Sequence, residues 1–169
     1  FKTEEITGAF FGVCYVPVML SFLYQTRSMH DGAYLVWLIF LSSWGCDTSA
    51  YCVGMLLGKH KLAPVLSPKK SVEGAVGGVA GAALLGFLFA TVFGGKMTEL
   101  MYPRLACTLA CAIAAVISQI GDLAASAIKR NHDIKDYGNL IPGHGGILDR
   151  FDSMLFTAPA IFFALLFLP

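Results

Sequence analysis

Between Gly74 and Gly95 the chain carries no charged residue, and that run fixes more about the fold than any other feature. About 20 consecutive apolar residues cross a bilayer as a helix. Backbone polar groups in lipid must be satisfied within the segment, so helix is the only open choice. Four further stretches approach the same length: Ile6 to Tyr24, with Pro17 as an expected kink; Ala33 to Gly58, interrupted by Trp44-Gly-Cys-Asp47; Leu105 to Ile128, which carries Asp122; and Ser153 to Pro169. Composition agrees. Hydrophobic residues make up 56% and charged ones only 14%, where a soluble domain has about a quarter charged; mean hydropathy is +0.68. The expected fold class is therefore all-α: a polytopic helical membrane protein of about five spans, forming one domain over residues 1–169.

Charge sets the expected orientation. Lys59, His60, Lys61, Lys69 and Lys70 follow the second span, and Lys129, Arg130, Lys135 and Arg150 follow the fourth. The positive-inside rule puts both loops, about 59–73 and 129–152, on the cytoplasmic side. A bacterial cytoplasmic membrane is the expected location, with an organelle membrane as the alternative. The net charge of +1 offers no electrostatic footprint for nucleic acid. Five cysteines without a Cys-x-x-Cys argue against a disulfide frame or zinc site. Cys107 and Cys111 read as small packing residues on one helix face. The first residues, Lys2-Thr-Glu-Glu, make a poor signal-peptide n-region, and the start at Phe1 reads as a trimmed beginning. Two Gly-x-x-x-Gly spacings, Gly74/Gly78 and Gly77/Gly81, provide for close helix approach, within the bundle or at a homodimer seam.

The chemistry concentrates between Ser126 and Asp152, where cations, carboxylates, a histidine and four glycines lie between two apolar spans. A multiply charged ligand, phosphate with a divalent metal, suits that mixture. Asp149-Arg-Phe-Asp152 places two carboxylates three apart, on one face if a helix begins there; a plain cap favoured by the helix dipole is the alternative. With Asp122 across the loop, a three-carboxylate magnesium site is the better account, because Mg²⁺ takes few carboxylates plus waters and phosphates. Pro142-Gly-His-Gly-Gly146 reads as a turn whose N–H groups form an anion nest, with His144 as a donor or proton relay. It is not a Walker loop. Arg150, flanked by the two aspartates, is expected within the site. Lys129, Arg130 and Lys135 either hold phosphate or anchor on anionic lipid. Lys69 and Lys70 in Ser67-Pro-Lys-Lys-Ser-Val-Glu-Gly74 are phosphate contacts or topogenic charge. Asp47 lies about 12 residues before Lys59, roughly 18 Å at the helical rise. A carboxylate at that depth costs about 3 kcal/mol and is expected to face a polar cavity or cation, with Gly45 and Thr48 opening the helix beside it.

These residues resemble the phosphatidate cytidylyltransferase family, the CDP-diacylglycerol synthases. The match rests on Ser126-x-x-Lys129-Arg130, Lys135-Asp136, Pro142-Gly-His-Gly-Gly146 and Asp149-Arg150-x-Asp152. Trp44-x-x-Asp47-x-x-Ala50-Tyr51, the block from Ser67 to Gly74, and Gly121-Asp122-Leu123 also look like the family's blocks. The family often has Glu where this chain has Ala125, and its members carry further N-terminal helices. The resemblance implies that CTP and phosphatidic acid react with Mg²⁺, and possibly a second cation, to give CDP-diacylglycerol and pyrophosphate. It assigns metal binding to Asp122, Asp149 and Asp152. Lys129, Arg130, Lys135, His144 and Arg150 become the catalytic cations and clasp. Ser126, Asp136, Gly143, Gly145, Gly146, Lys69, Lys70 and Asp47 become substrate contacts. Two rivals stand beside it: CTP chemistry on an ether-lipid phosphate, and an ion-coupled transporter binding its ion at Asp47 and Asp122, which predicts paired broken helices.

Overall fold

The computed structural model describes residues 2–64, 66–134, 136–138 and 146–168. The first segment runs as α1 (Thr3–Val13), a π-helical turn (Cys14–Val18) and α2 (Met19–Ser28). Pro17 sits inside that π turn. Proline has no N–H to give the preceding turn, and the wider π spacing absorbs the defect in place of a simple kink. A short α3 (Gly32–Leu35) leads into α4 (Trp37–Leu57), followed by strands β1 (Lys61–Ala63) and β2 (Ser67–Ser71). Then come α5 (Val72–Phe93), a single 3₁₀ turn, α6 (Pro103–Asn131) and α7 (Leu148–Phe167).

Among the described residues, four helical segments are long and apolar enough to cross a membrane: Thr3–Ser28, Val72–Lys96, Pro103–Asn131 and Leu148–Phe167. The protein is a polytopic, helical, integral membrane protein. Helix α4 has the length, at 21 residues, but Ser42, Ser43, Asp47, Thr48 and Ser49 make it less apolar. It runs unbroken through Trp44–Asp47. The expected opening at Gly45 is absent because Gly45 packs against the Leu85 side chain. The paired broken helices of a transporter are not seen among the described residues.

Small residues set the packing. Helix α5 lies against α4 and α6, α6 against α7, and α2 against α7. A Cβ on Gly74 would stand 3.1 Å from the Gly54 Cα, and one on Gly78 2.9 Å from Cys46 Sγ. So the glycine face expected from the Gly-x-x-x-Gly spacings is spent inside the bundle, on α4. Gly86 turns the same economy toward α6, where a Cβ would come 2.6 Å from the Cys107 carbonyl oxygen. Leu38, Ile39, Cys107, Ala110, Cys111, Ala114 and Ile161 form the core between these helices, and Cys107 and Cys111 are free and buried.

The two ends of the bundle differ. At one, Asp31, left-handed at φ 57°, accepts the Thr98 N–H at 2.6 Å and the Glu99 N–H at 3.3 Å. It thereby ties the α2–α3 link to the α5–α6 link. At the other end β1 and β2 pair antiparallel. The sequence reading placed a loop there and missed this hairpin. Glu73 holds it: one carboxylate oxygen accepts the Lys59 and His60 N–H groups at 3.1 and 3.2 Å, and the other meets His60 Nδ1 at 2.6 Å. Ser71 caps α5 by accepting the Gly74 N–H at 3.1 Å.

Candidate active site

The hairpin, the end of α6 and the start of α7 converge. Ordering of the Lys-Lys segment by Glu73 and Ser71 aims Lys70 inward, where its ammonium bonds to the Asp122 carboxylate on α6; Lys69 stays exposed. These two lysines, Asp47, Asp122 and Gln119 line a cavity of about 530 Å³. Tyr51, Met55 and Leu62 also line it. The cavity lining thus includes both charged and apolar side chains. Asp47 is open to this space, which explains how α4 keeps a carboxylate at mid-length without breaking. Its Oδ2 lies 3.5 Å from Ser153 Oγ, which in turn is 2.8 Å from Ser43 Oγ. Gln119 donates to the Ala75 carbonyl at 2.9 Å and fixes α6 to α5 beside the cavity.

A second cluster adjoins the first. Helix α7 begins at Leu148, so Asp149 and Asp152 do share a face of its first turn. Lys129, near the end of α6, reaches both: its Nζ is 2.9 Å from Asp149 Oδ1 and 3.6 Å from Asp152 Oδ2. Asp149 also accepts the Tyr137 and Gly146 N–H groups, at 2.8 and 2.9 Å. With both oxygens engaged, Asp149 clamps Tyr137 and Gly146 to α6. Asp152 takes the Ser153 N–H at 2.8 Å and lies within electrostatic reach of Asp122 and Asp149. The Tyr137 hydroxyl donates to the Ala125 carbonyl at 3.3 Å. Burial pushes the Tyr137 phenol above its ordinary range, against the pull of Lys129; it is therefore a neutral donor at neutral pH. The Lys129 ammonium also stands 5.1 Å from the centre of the Tyr137 ring, a cation–π contact.

Ser126 is half-buried on α6; Arg130, Asp136 and Arg150 are exposed, and Gly146 is buried. Lys135, Pro142, Gly143, His144 and Gly145 lie outside the described residues. Sequence reasoning missed Ser153, Ser43, Tyr137 and the Glu73 clasp. Only Glu73 carried a signal, an acidic residue in the first turn after a Ser cap.

As a magnesium site the cluster has the right chemistry: hard oxygen donors and no soft ligand. The carboxylates of Asp47, Asp122, Asp149 and Asp152 face two lysines, Lys70 and Lys129, so acid outweighs the lysine charge bonded to it. Among the described residues, no three His, Cys, Asp or Glu side chains are grouped closely enough to hold a metal as they stand. The two lysines occupy the space between the acids instead.

Comparison with known proteins gives one consistent result. Residues 1–168 match the family described as the Cytidylyltransferase family. The chain is 38% identical over 166 residues to the phosphatidate cytidylyltransferase of Bacillus subtilis (strain 168), covering 98% of this chain and 60% of that protein. It is 40% identical over 161 residues to the phosphatidate cytidylyltransferase of Staphylococcus saprophyticus, and 41% identical over 163 residues to that of Staphylococcus aureus (strain COL). Each covers 95% of this chain and 59% of the relative. The chain thus spans about three fifths of the length of these relatives.

Proposed function

We infer the activity from a fact of kinship: this chain belongs to the cytidylyltransferase family. The full-length protein transfers CMP from CTP to phosphatidic acid, giving CDP-diacylglycerol and pyrophosphate, with its site facing the cytoplasm of a bacterial cytoplasmic membrane. The single observation that carries this reading is a cavity lined both by Lys69, Lys70, Asp47 and Asp122 and by Tyr51, Met55 and Leu62. A phosphorylated head on an apolar tail calls for both kinds of side chain.

The lipid phosphate is already an anionic nucleophile, so the reaction needs no activated serine or cysteine. One phosphate oxygen attacks the α-phosphorus of CTP and forms the new P–O bond. The bond from that phosphorus to the β-phosphate oxygen breaks, and pyrophosphate leaves with the electron pair. Such displacements depend on position and charge. Lys70 and Lys129 are already fixed at the two clusters, where they meet phosphate oxygens in exchange for carboxylate ones. Lys69, Arg130, Lys135 and Arg150 add cations around them, and His144 with Gly143, Gly145 and Gly146 clasps the nucleotide side. Ser126 and Asp136 complete the contacts. Asp122 and Asp152, with Asp149 beside them, would hold Mg²⁺. Bound there, the ion supplies charge neutralisation of the triphosphate. Asp149 does its work through the backbone it gathers, and Asp47 organises the cavity wall with Ser153.

The test is CDP-lipid and pyrophosphate formation from CTP and phosphatidic acid, with Mg²⁺, in membranes containing the full-length protein. Parallel membranes carry Asp122→Asn. The parent is expected to form both products and the variant to lose about 10²-fold or more in rate, the scale of losing one preorganised electrostatic group. Pyrophosphate released without CDP-lipid would sink the transfer reading; an unimpaired Asp122→Asn would remove Asp122 from the site.

A further inference from the structure

Tyr15 is the one buried residue of α1 and the π turn, at 9% exposure. Its hydroxyl is buried and has no hydrogen-bond partner among the described residues. Two other buried hydroxyls share that state, Thr26 and Ser118. Those are short side chains inside α2 and α6, where a rotation reaches the carbonyl of the preceding turn. A phenol has no such recourse, because its oxygen stands at the far end of a rigid ring.

The ring itself is fixed on two sides. It stacks on Phe11 at 5.2 Å and meets Phe156 edge-on at 5.9 Å. Phe156 in turn covers Gly121, where a Cβ would come 2.7 Å from the Phe156 Cγ. Gly121 precedes Asp122, and Phe156 lies one helical turn beyond Asp152. The tyrosine is therefore docked against the backbone that presents both carboxylates, and its oxygen is within electrostatic reach of Asp122, Asp152 and Tyr137. It bonds to none of them. The π turn at Pro17 shifts the helix register at this point, and such turns recur at functional sites.

Resting on the activity read above, we propose that Tyr15 is a further positioning residue of the site, whose hydroxyl donates to a phosphate oxygen of the bound substrate. A neutral O–H beside two carboxylates is suited to an oxyanion that arrives with its own charge neutralised, and it adds no charge to a basin already acidic. Lipid phosphate and nucleotide phosphate offer the same acceptor.

Tyr15→Phe in the full-length protein keeps both ring contacts and removes only the hydroxyl. Tyr24→Phe, an exposed tyrosine on the same segment, serves as control. The expected result is a fall of about tenfold in kcat/KM for Tyr15→Phe, carried by the KM of one substrate, with kcat and thermal unfolding unchanged. A rise in the KM for phosphatidic acid assigns the contact to the lipid; a rise in that for CTP assigns it to the nucleotide. Unchanged KM values for both overturn the proposal, because a merely structural tyrosine loses nothing when an unbonded hydroxyl is removed. Binding is measured alongside, with CTP and with vesicles containing phosphatidic acid. If the parent protein forms no CDP-lipid at all, the proposed reaction falls and binding alone decides. Tyr15→Phe binding both ligands as tightly as the parent then overturns the hydroxyl contact, and weaker binding of either upholds it.

Discussion

Replacing Lys129 by Met tests the electrostatic arrangement at its most interior point. The Lys129 side chain is 13% exposed, between Asp149 at 4% and Asp152 at 12%. Removing the ammonium leaves two largely buried carboxylates facing each other. Breaking a buried pair from one side costs about 3–5 kcal/mol. Here the lower end applies, because Asp149 retains the Tyr137 and Gly146 N–H groups and Asp152 that of Ser153. We expect about 3 kcal/mol, close to the scale of one strong charged hydrogen bond plus the residual repulsion. Adding Asp149→Asn should recover part of that loss. The amide oxygen accepts both backbone N–H groups, and one negative charge is gone. The coupling between the two substitutions is then about 2 kcal/mol, well beyond the additivity expected of independent sites. Reversible unfolding in mixed micelles, on the parent, both single variants and the double, measures it. Additive effects, with Lys129→Met costing under about 0.5 kcal/mol as surface changes do, would refute a shared, buried lysine.

Two further outcomes are expected from parts of the molecule remote from that pair. Burial raises the Asp31 carboxyl, but the Glu99 and Thr98 N–H groups, the Thr98 hydroxyl and His30 outweigh it and hold the group below its ordinary range. A depressed folded value means stabilisation that is present above the unfolded pKa of about 3.9 and lost as pH falls through the lower folded one. Stability measured downward from pH 5 should therefore decline in the parent and lose that component in Asp31→Asn. An identical pH slope in both would dissociate Asp31 from the link it ties. On α5, a side chain at Gly78 would meet Cys46 Sγ at 2.9 Å and the Ala50 Cβ at 3.0 Å. Gly78→Val is expected to destabilise by about 1–3 kcal/mol through overpacking, whereas Gly95→Ala, with nothing within 4 Å, should be tolerated. Equal stability of the two variants in a thermal melt would contradict the close α4–α5 approach.

The bundle was largely legible because bilayer length and backbone satisfaction leave little freedom to an apolar run. Gly74/Gly78 gave the packing face of α5 for the same reason: a row of missing side chains has to be filled by a neighbour. What stayed hidden were the features made by distant partners. Lys70 and Asp122 were both singled out as charged site residues, yet nothing in either neighbourhood reveals that each is the other's counterion across 52 positions. The β1–β2 hairpin depends on Glu73 reaching back to His60, and strands of three and five residues, rich in lysine, have no readable period. Asp47 lines the cavity, but the helix opening expected beside it was not needed, since an unbroken α4 already turns that carboxylate toward open space. Tyr15 and Ser153 looked like ordinary polar members of apolar runs. Only their surroundings tie Ser153 to Asp47 and set Tyr15 against Phe156.

The lysine-bridged acids bear directly on how such a site would work. Carboxylates as close as Asp122, Asp149 and Asp152 in a membrane protein carry a heavy desolvation cost unless cations stand between them. Lys70 and Lys129 supply those cations from within the chain, one on a hairpin fixed by Glu73 and Ser71, the other on the last turns of α6. Both attachments are short and firm, so neither lysine has far to move when its partner changes. In the proposed reaction the same ammonium groups that pair with these acids would become the phosphate ligands, and Asp122, Asp149 and Asp152 would be the residues to hold a divalent cation. Substrate affinity should then depend on competition between carboxylate and phosphate for the lysines. On this argument Lys70→Met destabilises the protein and weakens phosphate binding together, whereas Asp122→Asn leaves Lys70 to phosphate alone and lowers turnover, as thermal melts and CTP binding on both variants would read.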